Sequence, residues 1–554
     1  MNTRSIKHFL LAGVVSCGIA TGLTACSDWD DHYDGIANSG TSGATIWQQL
    51  KDNPQLSDFC EVLEQTKVYR MHKKTPVSYA ELLRGGQAFT AIAPLNGTFN
   101  KDSLLQLVQT AAGDSSVERS FIQNHLSRSL VSSMANTTKV LMLNMKHLYM
   151  GNNKIDNVPI TIANQQAHNG VFHVIDHALN YKRNLYEMFC DNPSLTVIGD
   201  KLRFYNEDYF DDNASVSNGV IDGVPVYVDS VVYELNPMLS SLGELKSEDS
   251  TYLVVAPTTE GWNQAYQEVS EYFKFDQTVD NRDSLQQYYT VHALLEDAIF
   301  NMTDQKSVND SLISVPFIGA NQLYGKGKQI YHVFKKPFEP GGILDGAEAL
   351  ECSNGTLYTT PQWSFKPEET FFKEIYVEGE HSHLIVGYDE DLCVYNVRQE
   401  PNDSISNGGY LRINATESTA NWNIWYKVAN TLSGSYDVYA VILPKRIYDA
   451  DAPEANLPCK FKAFIEYNDE NGNSKSYSCK INNKTEFETD PERIDTILIA
   501  SDFKFPACNY GLSNSNVKIR LQCYVTKKQT DDYSREIYLD CFYLRPRTSK
   551  SEEQ

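Results

Sequence analysis

The sequence predicts an α+β protein in three folded parts: two related α+β domains in tandem, followed by an all-β sandwich of jelly-roll type. Three observations predict it. The block Phe89 to Phe99, FTAIAPLNGTF, returns in near copy at Thr251 to Trp262 as TYLVVAPTTEGW. Each block is followed by a helical pattern with an aromatic four places before a histidine (Phe121 and His125, Tyr288 and His292), then by an Asn-Gly step into a second apolar run, Asn169-Gly170 and Asn354-Gly355. Beyond Phe371 the texture changes to short alternating strands separated by polar turns.

Each element has a local reason. Pro94 and Pro257 remove a backbone donor and stop the apolar runs Phe89 to Ala93 and Tyr252 to Ala256, so a buried strand turns sharply there. A spacing of four puts the aromatic and the histidine on one helix face. Ile46, Trp47 and Leu50, then Leu56, Phe59, Val62 and Leu63, predict two short amphipathic helices separated by Pro54. Leu104, Leu105, Leu107 and Val108 predict another helix, and Val140 to Leu143 and Val158 to Ile162 are strand candidates.

This ordered set resembles the fasciclin-like domain, marked by an F-T-x-F-A-P-T-N-x-A-F block, a histidine-bearing central helix and a closing N-G-x-x-x-x-x-D strand. The first copy carries the resemblance on Phe89, Thr90, Pro94, Asn96, Phe99, His125, Asn169, Gly170 and Asp176; the second carries it on Pro257, His292, Asn354 and Gly355. The second copy has Thr259-Glu260 at the Asn-acidic position and Thr359-Thr360 near the place of the aspartate, and its landmarks stand further apart, which predicts insertions. The resemblance implies fasciclin-like domains over 45–181 and 182–367, adhesion to matrix, glycan or other cells, and no catalytic centre. The alternative is that A-P and N-G are generic turn punctuation.

Residues 1–26 read as a lipoprotein signal peptide: Arg4 and Lys7, the apolar stretch Phe9 to Leu23, then Leu23-Thr24-Ala25-Cys26. The last four resemble the bacterial lipobox, which implies a lipid on Cys26; the alternative is an ordinary secretory signal. Ser27, Asp28, Asp30 and Asp31 resemble the acidic export signal by which gut Gram-negative anaerobes place lipoproteins on the outer face of the outer membrane, a flexible tether being the alternative. Residues 27–44, acidic and then rich in Gly and Ser, form that tether.

A net charge of −23 makes nucleic acid and anionic lipid poor partners, since phosphate binding needs clustered Lys and Arg. Of eleven cysteines, Cys17 leaves with the signal and Cys26 takes the lipid. An odd number remains, which argues for mostly free, buried thiols, among them Cys459, Cys523 and Cys541 on apolar strand faces.

In residues 368–547 the strand candidates are Tyr436 to Leu443, Cys459 to Tyr467, Tyr477 to Ile481, Val517 to Val525 and Glu536 to Leu544. With the opening Ile375 to Glu378 strand and Gly434, Tyr436, Val438 and Tyr439, their order resembles the galactose-binding-like jelly roll of many carbohydrate-binding modules. In Asn421 to Val428, Trp422, Ile424, Tyr426 and Val428 share one face, and Trp425 lies opposite with Asn421, Asn423 and Lys427. Trp425 is therefore the candidate ligand-binding residue, able to stack on a sugar ring, or else a tryptophan covered by a loop. Glu378, Glu380 and Asp540 are candidate ligands for a structural Ca²⁺, or else solvated carboxylates; no other cofactor is expected.

No nucleophile elbow, phosphate loop or zincin motif is complete: Gly40 to Ala44, Gly319 to Lys326 and His173 to His177 are near misses. His125 and His292 read as satisfied core histidines, and His381 and His383 as a solvated pair. The expectation is a surface lipoprotein, lipid-anchored in the outer membrane, that acts by adhesion or glycan binding without catalysis. The alternatives are an accessory subunit of an outer-membrane glycan-uptake transporter assembly, or a polysaccharide-active enzyme with a carboxylate pair in a cleft.

Overall fold

The computed structural model describes residues 43–547 apart from 71–72, 133–135, 222–223, 304–309, 316–330, 401–402 and 449–455. The signal peptide with Cys26, the export signal Ser27, Asp28, Asp30 and Asp31, and the Gly319 to Lys326 segment lie outside the described residues. Among those described, no helix is long and apolar enough to cross a membrane.

The first unit opens on the two expected helices, Ile46–Lys51 and Ser57–Gln65, joined by a 3₁₀ turn, Pro54–Leu56. Thr45 starts the first with a capping box to Gln48, which satisfies two of the orphaned amides of the first turn. Ile46, Trp47, Leu50, Phe59, Val62 and Leu63 are all buried. The hairpin Lys67–Arg70/Lys73–Ser78 and the helix Tyr79–Arg84 follow. Neither was expected, because the exposed hairpin alternates no apolar face.

At the centre lies Phe89–Pro94, paired in parallel with Gly170–Ile175 in a seven-stranded sheet. The register runs from Phe89 opposite Gly170 to Pro94 opposite Ile175. Lys101–Leu107 is the expected helix. The expected strands appear as Thr138–Leu141 and Val158–Ala167.

The second unit repeats this arrangement. Tyr252–Pro257 pairs in parallel with Gly355–Thr360, from Tyr252 opposite Gly355 to Pro257 opposite Thr360. In both units the asparagine before the glycine is buried and does the same work. Asn169 accepts from the Ile46 amide at 2.8 Å and donates to the Leu83 and Gly85 carbonyls at 2.8 Å each. Asn354 accepts from Leu185 at 2.9 Å and donates to Leu245 and Ser247 at 2.9 and 2.8 Å. Gly170 and Gly355 sit at φ 138° and 148°. A Cβ there would fall 2.0 Å from the Phe89 carbonyl oxygen and 1.8 Å from that of Tyr252. A long hairpin, Glu207–Ile221/Val224–Leu235, precedes the second block.

The C-terminal part is two antiparallel sheets packed face to face. One is built on Ile537–Arg547, flanked by Gly409–Ala415 and Ser435–Leu443. The other runs Ile385–Tyr388, Asn423–Lys427, Lys518–Cys523, Lys460–Asn468 and Ser474–Ser478. Period-2 alternation puts Ile424, Tyr426, Phe461, Ala463, Ile465, Ile519 and Leu521 inside, where Tyr426 meets Phe542 of the opposite sheet with ring centroids 5.5 Å apart. The cysteines among the described residues are free thiols, and all but Cys190 are buried. The strand expected over Tyr477 to Ile481 is displaced toward the Asn468–Gly472 turn and spans Ser474–Ser478, because Gly472, at φ 82°, closes that turn early.

The three parts touch through buried polar groups. Lys146 of the first unit, 4% exposed, reaches Glu248 at 2.8 Å, Glu187 at 3.2 Å and Ser353 at 3.1 Å in the second. Burial works to raise the Glu187 carboxyl, but Arg119 and Lys146 outweigh it and hold the carboxyl below its usual range. Asp276 of the second unit accepts from Asn468 at 3.1 Å and Asn516 at 2.9 Å in the sandwich. Beside it Tyr510 packs edge-on against Phe273 and Tyr289.

Gly170→Ala and Gly355→Ala should each lower stability by about 2 to 3 kcal/mol, the cost of a forced positive-φ side chain against a strand carbonyl. Chemical denaturation of each variant checks it. Equal stability to wild type would show that the parallel pair does not need the close approach.

Candidate functional site: an aromatic face of the sandwich

The residue the sequence singled out, Trp425, lies on the outward side of Asn423–Lys427, while Trp422, Ile424 and Tyr426 are fully buried behind it. Trp422 anchors the strand by donating from Nε1 to the Arg535 carbonyl at 2.8 Å. Trp425 is half-buried, neither free in solvent nor covered. Its Nε1 donates to Glu466 Oε1 at 3.1 Å, and Arg520 Nε stands 3.3 Å from the same oxygen.

The sheet register builds the rest of the surface. Trp425 lies opposite Gly387 on one side and Arg520 on the other, and Arg520 lies opposite Phe464. Gly387 leaves the ground beside the indole low, the nearest indole atom lying 3.6 Å from where a Cβ would be. The Arg520 guanidinium covers the Phe464 ring at 3.8 Å from its centroid, and its Nη1 donates to Asn423 at 3.0 Å. The result is a row of indole, guanidinium and phenyl across three strands, with Glu466 fixing the first two in orientation. Such a row offers one apolar surface with charged donors beside it, the pairing that a sugar ring with its hydroxyls requires.

Sequence reasoning found Trp425 and missed Gly387, Phe464, Glu466 and Arg520. Alternation around Phe461 and Ile519 would have pointed Phe464 and Arg520 outward. Which strands lie side by side was not legible.

The three candidate metal ligands do converge. Glu378, Glu380 and Asp540 are each 7% exposed or less. Ser406 donates its amide to Asp540 at 3.0 Å and its hydroxyl to Glu378 at 2.9 Å, and Asn407 donates to Glu380 at 2.7 Å. Burial first, then the neighbouring Glu378 and Glu380 charges, push the Asp540 carboxyl up to about 7 against the Ser406 hydrogen bond. Hard oxygens are the right chemistry for Ca²⁺, but among the described residues no group of three His, Cys, Asp or Glu is arranged to hold a metal ion. Glu378, Glu380 and Asp540 are instead drawn together by the Ser406-Asn407 turn. His383 lies on an adjoining one-turn helix, Ser382–Leu384, with His381 just before it, and neither ring is buried.

The motif residues of the first unit are structural. Thr90 accepts from the Val131 amide at 2.9 Å and donates to the Ser129 carbonyl at 2.7 Å. Asn96 accepts from Asp58 at 2.9 Å and donates to the Pro54 carbonyl at 2.8 Å, which latches the block to the start of Ser57–Gln65. In the second unit Thr259 makes the equivalent latch to the Ser194 carbonyl at 2.9 Å, just ahead of Thr196–Phe204. Phe99 packs on Phe121, which packs on His125. Asp176 is exposed beside His177.

His125 is fully buried, its Nδ1 2.7 Å from the Phe121 carbonyl while its Nε2 accepts from the Leu179 amide at 3.0 Å. That pair of bonds fixes a neutral tautomer, and burial pushes the imidazole down to about 4. His292 is buried on Arg282–Leu295, 3.5 Å from Glu296, with Tyr288 stacked beside it.

A parallel pair closed by an Asn-Gly step and tied to its helix by a buried histidine defines the α+β class of the first unit. Residues 54–181 match the family model of the Fasciclin domain, so a Fasciclin domain occupies that stretch. No curated protein sequence matches the chain. Among solved structures, the FAS1 domain pair of the insect cell adhesion molecule Fasciclin I is similar at 11% identity, over 58% of this chain and 97% of that one, with a TM-score of 0.18. The CBM22-1 xylan-binding domain of Paenibacillus barcinonensis Xyn10C is similar at 12% identity, over 31% of this chain and 92% of that one, with a TM-score of 0.20. Paenibacillus xanthan lyase is similar at 15% identity, over 35% of this chain and 16% of that one, with a TM-score of 0.17. Similarity at this level says nothing about what the chain binds.

His125→Ala should lower stability at pH 7.5 by about 1 to 3 kcal/mol, the range for a lost buried polar group and its hydrogen bonds. His125 is neutral when folded and protonates near 6.5 when unfolded, so its contribution is complete above 6.5 and is lost as pH falls toward 4. Stability measured across that window should fall with acid in the wild type and less steeply in the variant. An unchanged slope would show that His125 titrates normally.

Proposed function

We propose that the protein is a non-catalytic, lipid-anchored protein of the bacterial cell surface that binds glycan through the Trp425 face of its sandwich. In this reading residues 45–181 and 182–367 are tandem fasciclin-like domains that serve adhesion and set the sandwich away from the membrane. The observation that carries the reading is the row Trp425, Arg520 and Phe464, held in orientation by Glu466. The second fasciclin-like assignment is supported by the matching roles of Asn169 and Asn354, of Gly170 and Gly355, and of Asn96 and Thr259. Anchoring rests on Leu23 to Cys26 and the acidic residues after it.

Trp422 and Trp425 separate fold from function. Trp422→Ala should destabilise the protein by about 3 to 5 kcal/mol, as for a large aromatic removed from a core. Trp425→Ala should leave the thermal midpoint within a few degrees of wild type and weaken glycan binding by about 1 to 3 kcal/mol. Calorimetry of the full chain against soluble plant and host polysaccharides reads both effects. A full chain that binds no polysaccharide but co-purifies with an outer-membrane transporter would replace this reading with the accessory-subunit one.

The anchor is tested in cells. Cys26→Ala should abolish incorporation of a fatty-acid probe, because the thiol is the acyl acceptor. Alanine at Asp28, Asp30 and Asp31 should keep the lipid and reduce cleavage by protease added to intact cells. Label on the Cys26 variant would overturn the anchor, and unchanged protease access would overturn the export signal.

A further inference from the structure

The Trp425 face also has a charge opposite to that of the chain. On the three central strands of this sheet, the outward residues include Lys427, Lys460, Lys462, Lys518 and Arg520, against Glu466 as the only acid. Glu488 faces Lys460 from a short neighbouring strand. The whole chain carries −23, so a basic face on it is a local reversal of the field.

The lysines of this face are not balanced by ion pairs within the sheet, although Lys460 and Lys462 pack over the Tyr533 and Tyr524 rings. Lys427 lies directly opposite Lys518, a like-charge cross-strand pair that costs folding energy. Lys518 also has Glu466 opposite on its other side, but Glu466 is engaged by Trp425 and Arg520. Lys462 lies over the Tyr524 ring and Lys427 donates to the Ser513 carbonyl. Among the described residues, none of Lys427, Lys460, Lys462 and Lys518 has a carboxylate in ion-pair contact.

We propose that this face selects an acidic polysaccharide whose sugars carry carboxylates, with a uronate ring against Trp425 and its carboxylate directed to Arg520, Lys518 and Lys427. The proposal rests on the glycan reading above and names its substrate class. Adjacent strands stand about 4.8 Å apart, so a ring over the indole has cations one strand away, on the scale of the reach from a pyranose ring to its own carboxylate. The Arg520 guanidinium, already met by Glu466 at Nε and Asn423 at Nη1, adds fixed positive charge beside the ring, and the lysines supply point charge along the chain. The acidic remainder of the molecule disfavours the extended contact that a nucleic acid would need.

The test uses the full chain in detergent against polygalacturonate, dextran sulfate, a neutral xylan and single-stranded DNA, with Trp425→Ala and the pair Lys427→Gln/Lys518→Gln. Polygalacturonate should bind, and should be lost in about 1 M salt, where the Debye length is roughly 3 Å. The double lysine variant should keep the wild-type thermal midpoint or exceed it, and lose about tenfold or more in affinity, the loss of one or two charge-assisted contacts. Trp425-dependent binding of xylan with none of polygalacturonate overturns the acidic class and leaves the glycan reading standing. Binding of no polysaccharide overturns both. Tighter binding of dextran sulfate, which carries no carboxylate, overturns the carboxylate assignment, and preference for DNA makes the face a general polyanion surface and overturns the proposal.

Discussion

Two glycines without side chains hold the α+β half of this molecule together. At Gly170 and Gly355 the strand backbone comes so near the carbonyl of its parallel neighbour, Phe89 or Tyr252, that any Cβ would overlap it. Parallel pairing has no tight turn to set its register, and here the Asn-Gly step does that job. The asparagine side chain closes three hydrogen bonds to separate segments while the glycine allows the contact. Asn169 and Asn354 also tie the start of a helix to each strand, through the amides of Ile46 and Leu185.

The second constraint is how the parts are joined. Lys146 and Asp276 are buried charges at the two junctions, each met by polar groups of the neighbouring part. Buried charges with several specific partners penalise misplacement heavily, since a small shift leaves a charge unpaired. Apolar packing around Tyr510 supplies area, and Asp276 supplies direction. The sandwich is therefore held against the second unit by both apolar packing and specific polar contacts.

On that face, the same alternation that fills the core also arms the surface. Every inward residue of Asn423–Lys427, Lys460–Asn468 and Lys518–Cys523 is apolar, so every outward one is free to be chosen for another purpose. The outward set mixes Trp425 and Phe464 with Arg520 and four lysines, two of which, Lys460 and Lys462, pack over the Tyr533 and Tyr524 rings. Glu466 spends its charge orienting the indole and guanidinium rather than pairing the lysines.

The sequence by itself determined the local and periodic features. The amphipathic opening helices, the proline-stopped strands, the alternation around Trp422 and the repeated Asn-Gly landmarks are patterns within a few residues, and all could be read from order alone. It did not reveal the exposed hairpin at Lys67–Ser78, nor that Thr259, standing at the place of Asn96, would latch to the Ser194 carbonyl; the hairpin at Glu207–Leu235 went unread although Val224, Val226 and Val228 alternate after an Asp-Gly step. Tertiary structure alone decided what stands beside Trp425. Gly387, Arg520 and Phe464 come from strands as much as 95 residues away in sequence, matched by antiparallel register. Cross-strand adjacency is set by the total packing of two sheets, not by any local propensity, and so the charge of the face emerged only when those strands were laid side by side.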